Sequence, residues 1–110
     1  MKFLLLICGD TQAYEAMLAD PDFLPDCKAW AAARGDAVLL TGGLEAPADA
    51  TTVRVRDGEV LLGDGPFAET KEVVAGFSLI ECASRDEAVE AAQTHPVARY
   101  GTIEVRALRP

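Results

Sequence analysis

The chain has a single histidine, His95, in the run Thr94-His95-Pro96-Val97-Ala98-Arg99-Tyr100-Gly101. Its position just after a helical segment allows two readings. A helix C-terminus favours an imidazolium, so His95 can cap the last carbonyls of that helix and do nothing else. Alternatively, paired with a carboxylate, it can act as a general acid or base near neutral pH. Arg99 and Tyr100 follow closely, a cation able to hold an anionic substrate and a ring able to line a cleft. Of the other aromatics, Tyr14 is a further candidate for stacking or hydrogen bonding, and Trp30 falls on an apolar helix stripe and reads as core.

The second stretch with chemical content is Asp64-Gly65-Pro66-Phe67-Ala68-Glu69-Thr70-Lys71-Glu72. Gly65 permits positive φ and Pro66 fixes φ near −65°, so together they make a hard turn. Phe67 can anchor that turn in a core, while Asp64, Glu69, Lys71 and Glu72 put charge at its rim. One reading is a structural corner with solvated charges; the other is a loop that receives a ligand or partner. Thr70 and Lys71 lack the glycine spacing of a phosphate loop, and two glutamates flank the lysine, so nucleotide triphosphates are excluded. Asp64, Glu69 and Glu72 have no regular ligand spacing for a divalent cation, and solvated charge is the better account. Neither a metal nor another cofactor is expected.

This string, followed by Gly76-Phe77 and the terminal Ile103-Glu104-Val105-Arg106, resembles the YCII-related family in its DGPF-type branch, over Met1 to about Leu108. The resemblance implies a dimeric α/β-barrel domain. It also implies a His–Asp catalytic pair, for which His95 and Asp64 are the matching candidates, and it admits a transcription-related protein partner. Under an enzyme reading His95 moves a proton, Asp64 orients it, and Arg99 or Lys71 holds substrate. Under a binding reading the 64–72 loop, with Gly65, Pro66, Phe67, Glu69, Thr70, Lys71 and Glu72, meets a small molecule or a regulatory protein, with Arg99 and Tyr100 beside it. The binding reading is preferred.

The elements that must hold these residues are legible in outline. At 110 residues the chain is long enough for one domain with a core of its own. A net charge of −8, from 18 acidic and 10 basic residues, disfavours direct binding to nucleic acid. The three cysteines, Cys8, Cys27 and Cys82, are widely spaced and read as free thiols, as in a reducing cytosol. The opening Met1-Lys2-Phe3-Leu4-Leu5-Leu6-Ile7-Cys8 is too short for a secretory h-region and is followed at once by Asp10, so it reads as a first strand and not as a membrane segment.

That strand, residues 2–8, is apolar on both alternating faces. A helix is expected from Asp20–Phe23 to Gly35, preceded by a short helical turn over Tyr14–Leu18. Strands follow over 37–41, 52–56 and 59–62, the last two joined by Asp57-Gly58 as a hairpin, and over 74–82. Ser84-Arg85-Asp86-Glu87 is a capping box that opens a second helix, and 102–108 closes the chain as a strand. The expected fold is therefore α+β: a ferredoxin-like two-layer sandwich with two helices on one face of an antiparallel sheet and an inserted β-hairpin. Because two helices cover only one face, the other is expected to be covered by a second copy, giving a homodimer through the sheet.

Overall fold

The computed structural model describes residues 1–65 and 72–110; the expectations for Pro66, Phe67, Ala68, Glu69, Thr70 and Lys71 lie outside the described residues. The chain runs β1 (Lys2–Gly9), α1 (Thr11–Ala19), α2 (Phe23–Arg34), β2 (Val38–Gly43), β3 (Thr51–Arg56), β4 (Glu59–Asp64), β5 (Val73–Glu81), α3 (Arg85–Gln93) and β6 (Thr102–Ala107). Short 3₁₀ turns cover Gly35–Ala37, Pro47–Asp49 and Pro96–Arg99.

Four strands form one sheet in the order β2-β5-β1-β6, with every neighbouring pair antiparallel. This is the ferredoxin-like arrangement expected. Among the described residues three α-helices accompany the sheet, not two: the turn expected over Tyr14–Leu18 is the nine-residue helix α1. Asp10 makes the difference, because its carboxylate accepts the Ala13 N–H at 2.8 Å and starts the helix three residues earlier.

Strand alternation sorts β1 cleanly. Phe3 and Leu5, both fully buried, point to the helices and join Trp30 of α2, Ile80 of β5 and Ala88, Ala91 and Ala92 of α3 in the main core. The three alanines give α3 a low face that lets it lie close to the sheet. Ala13 and Met17 of α1 pack with Val97, Ile7 and Ile103 at the other end of the same face. Trp30 donates its indole N–H to the Ala91 carbonyl at 2.9 Å, so this bulky core residue leaves no polar atom unpaired. Ser78 is buried on that face as well, satisfied by Thr41 across the β2–β5 pair at 2.9 Å.

The helix ends follow from local chemistry. Ser84 caps α3 by accepting the Glu87 N–H at 3.3 Å, and Glu87 returns to accept from Ala83, one residue before the usual capping-box partner. Gly35 ends α2 with a positive φ of 51°. Asp57 and Gly58, at φ 52° and 77°, form the tight turn between β3 and β4, which pair as a separate two-stranded sheet. At the β1–β6 junction, a Cβ on Gly101 would stand 2.2 Å from the Cys8 carbonyl oxygen, so only glycine fits there.

Among the described residues, no helix lies on the second face of the four-stranded sheet. The register puts Leu4, Leu6 and Cys8 of β1, Phe77 and Leu79 of β5 and Leu40 of β2 on this open face. Thr102, Glu104 and Arg106 of β6 form its charged edge. The smallest principal extent of the molecule is 18 Å, the thickness of two layers.

Candidate functional site

A cleft of about 450 Å³ opens where β1 passes into α1, within the size range of small-molecule sites. Gly9, Asp10, Thr11 and Tyr14 make one wall; Leu44, Ala46 and Pro47 of the β2–β3 connection, with Val73 at the start of β5, make the other. The first wall supplies a carboxylate and two hydroxyls and the second is apolar. Asp10 is held in place by its cap bond to Ala13. The Tyr14 phenol has its pKa raised, chiefly by burial and secondarily by Cys8, so it stays protonated and can donate as well as accept.

The apolar wall is pinned from behind. Leu44 donates its N–H to the Ala75 carbonyl at 2.8 Å, and Ala50, which closes the Pro47–Asp49 turn, accepts the Gly65 N–H at 2.7 Å. Gly65 thus lies beside the turn that carries Pro47, and Glu72 stands immediately before Val73. Gly65 has φ 86°, the conformation its lack of a side chain permits. Asp64 ends β4 opposite Thr51.

Glu72 accepts a hydrogen bond from the Thr102 hydroxyl at 3.2 Å. With Glu104, it makes the surroundings of Cys8 acidic. Burial first, then Glu104 and Glu72, push the Cys8 thiol up, which suits a free thiol and not a thiolate nucleophile.

His95 occupies neither of the two positions expected for it. It is buried, with 5 % of its surface exposed, and its ring stands edge-on to Trp30 with centroids 4.6 Å apart. Its Nδ1 accepts the Val97 N–H at 3.1 Å, capping the Pro96–Arg99 turn that follows instead of the α3 carbonyls that precede. Burial, reinforced by the Arg34 charge, lowers its pKa from 6.5 to about 4. The imidazole is therefore neutral at pH 7, with its proton on Nε2, because Nδ1 is an acceptor. Among the described residues no hydrogen bond or ion pair joins His95 to Asp64.

Arg99 and Tyr100 are brought together, but by carboxylates of the helical layer. Arg99 pairs with Asp26 of α2 at 3.0 Å, and the Tyr100 hydroxyl donates to Asp20. That bond is the first cause of the lowered Asp20 pKa and of the raised Tyr100 pKa. Phe23 meets the Tyr100 ring edge-on. These contacts tie the 96–99 turn to the α1–α2 junction.

A second hollow of about 350 Å³ lies between α2 and α3, lined by Arg34, Glu81, Glu87 and Glu90 among others. Its best-placed groups are already engaged: Arg34 donates to Thr94 at 2.7 Å and lies over the Trp30 ring, and Glu87 holds the Ala83 N–H. The cleft beside Asp10 and Tyr14 is the stronger candidate. In the sequence Tyr14 stands out only as an aromatic, and Asp10, Thr11, Leu44 and Pro47 belong to no functional motif. Asp10 before Thr11 is an N-cap signal that places this wall at a strand-to-helix switch; Leu44 and Pro47 reach it only through tertiary packing.

Comparison with known proteins agrees with the fold. The YCII-related domain model matches residues 1–110, and the chain belongs to that family. An uncharacterised protein of Rhizobium meliloti is 51 % identical over 61 residues, which cover 54 % of this chain and 49 % of that protein, so the match spans about half the length of the relative. Among solved structures, the chain is similar to 5-chloro-2-hydroxyhydroquinone dehydrochlorinase (TftG) from Burkholderia phenoliruptrix in complex with 2,5-dihydroxybenzoquinone. The TM-score is 0.60 at 15 % identity, covering 99 % of this chain and 94 % of the other, a likeness of fold. Among the described residues no helix is long and apolar enough to cross a membrane.

Proposed function

We propose that this YCII-related domain binds a small organic molecule in the cleft between the β1–α1 switch and the β2–β3 connection, and that it works as a homodimer whose second copy covers the open sheet face. The observation that carries the binding reading is the division of the cleft into a polar wall, Asp10, Thr11 and Tyr14, and an apolar wall, Leu44, Ala46, Pro47 and Val73. Such a site suits a compact ligand with an apolar body and hydrogen-bonding groups along one edge. Gly65 is tied to the turn that carries Pro47, and Glu72 directly precedes Val73 of the apolar wall.

An enzymatic use of the same cleft is the second reading. The solved neighbour of this fold carries a dehydrochlorinase name and holds a dihydroxylated ring, and Asp10 and Tyr14 are the groups here that can exchange a proton with such a molecule.

Calorimetric titration with 2,5-dihydroxybenzoquinone and a panel of small hydroxylated rings tests the reading. Saturable binding is expected, weakened about fivefold to tenfold in Tyr14→Phe by loss of one hydrogen bond and abolished in Ala46→Phe, which fills the cleft. Equal binding by the parent and Ala46→Phe contradicts it, as does no binding across the panel.

A further inference from the structure

The β3–β4 hairpin is strongly two-sided. Its register sets Val53 opposite Leu62 and Val55 opposite Val60, so strand alternation places all four on one face. They are exposed by 56 to 71 %. The other face carries Arg54, Arg56, Glu59 and Leu61. A lone two-stranded hairpin is marginal in water, and four bare aliphatics on one side of it make the deficit worse. Among the described residues the strands pack chiefly on each other, and the radius of gyration is 15.7 Å, against about 13 Å for a compact domain of this size. The hairpin forms a sheet of its own, apart from the four-stranded one.

The same chain has a second apolar surface in the open sheet face, where Leu40 is 57 % exposed and Leu4, Leu6, Phe77 and Leu79 are partly buried beside it. The hairpin leaves the sheet after β2 and the chain re-enters at β5, and these two strands pair as one side of that face. Leu40, Val53, Val55, Val60 and Leu62 are each more than half exposed, apolar surface of the kind that a stable interface, at roughly 800 Å² per partner, buries.

Charge points the same way. The chain carries −8 overall, which opposes self-association. Residues 51–62, however, balance Arg54 and Arg56 against Asp57 and Glu59, and the five sheet residues are uncharged. The surfaces that need a cover are those on which two acidic copies repel least. A two-fold pairing covers both surfaces of both chains in one step.

We propose that the apolar face of the hairpin, Val53, Val55, Val60 and Leu62, is an arm received on the open sheet face of a second copy, with the exchange reciprocal. This rests on the homodimer reading above and adds the segment that makes the contact. It predicts an association that tightens with added salt, because screening removes repulsion and leaves the apolar contact.

Sedimentation of the full chain tests it, comparing the parent with Val60→Glu/Leu62→Glu, Leu40→Glu and Arg56→Glu. The last changes charge by the same −2 as the double variant, but on the opposite hairpin face. A parent dimer is expected, with the dissociation constant raised roughly a hundredfold in the double variant and in Leu40→Glu, and little changed in Arg56→Glu. A double variant that dimerises like the parent overturns the arm and leaves the sheet-mediated dimer standing; a parent that stays monomeric at all concentrations overturns both. Neither result touches the cleft. Should the double variant fail to fold, mixed isotope-labelled dimers of the parent decide: contacts between Val53 or Val55 methyls of one copy and Phe77 or Leu40 of the other are expected, and their absence in a confirmed dimer rejects the arm.

Discussion

His95 and Trp30 stand edge to face with ring centroids 4.6 Å apart, and Nδ1 of the same imidazole accepts the Val97 N–H. The one histidine of the chain is thus a neutral structural acceptor that joins the Pro96–Arg99 turn to the core. Its folded pKa of about 4 lies below the ordinary 6.5. Above pH 6.5 the imidazole is neutral in both states and folding carries no penalty. As pH falls through 6.5 the unfolded chain takes up a proton that the folded chain refuses, and stability declines until about pH 4.

Between pH 7.5 and 5.5, where carboxylates barely titrate, this linkage removes about 1 kcal/mol. Urea unfolding at the two pH values measures it. His95→Asn, whose amide oxygen can still accept from Val97, is expected to be less stable than the parent at pH 7.5 but to lose the pH slope. A slope unchanged in that variant contradicts the neutral-acceptor role.

Ser84 caps α3 through the Glu87 N–H, and α3 contributes three alanines to the main core. Ser84→Ala is expected to cost about 1 kcal/mol, which thermal unfolding registers as a midpoint lower by about 5 °C for a domain of this size. Ser84→Asn, another good cap, should restore most of the loss.

Gly101 sits against the Cys8 carbonyl with no room for a Cβ. Gly101→Ala must push the start of β6 away from β1, at a cost of about 2 kcal/mol or more. Because Cys8 directly precedes Gly9 of the cleft, this variant should also weaken ligand binding. Gly58→Asn is the contrasting case: a Cβ there meets nothing within 4 Å, and asparagine tolerates the positive φ. It should leave binding unchanged.

Arg99 and Tyr100 are engaged by Asp26 and Asp20 on the helical layer. Arg99→Ala is expected to lower the thermal midpoint only slightly, as for other exposed ion pairs, and to leave affinity at the cleft unaltered. A large loss of affinity in Arg99→Ala would return that residue to the binding site.

The fold was readable because its signals are local and agree with one another. Alternation in β1, the Asp57-Gly58 turn, the Ser84 cap and Gly35 as a helix stop each act within a few residues, and together they fix the strand and helix order. Helix α1 looks short in the sequence because Tyr14–Leu18 carries the apolar residues, while its start depends on a single carboxylate, Asp10. The site was less legible. His95 looks chemical in one dimension because imidazole titrates near neutrality; burial against Trp30, with the Arg34 charge nearby, removes this property. Asp10, Thr11, Leu44 and Pro47 meet because β1 pairs with β5 and β5 with β2, a long-range register that no motif encodes.

The most direct test of the account is amide chemical-shift mapping of the whole chain during titration with the best-binding small hydroxylated ring. The account predicts that the largest shifts fall on Gly9 to Tyr14, Leu44 to Ala46 and Val73, with little change around Thr94 to Tyr100. Shifts centred on His95 and its neighbours, with the Asp10 and Tyr14 amides unmoved, would contradict it.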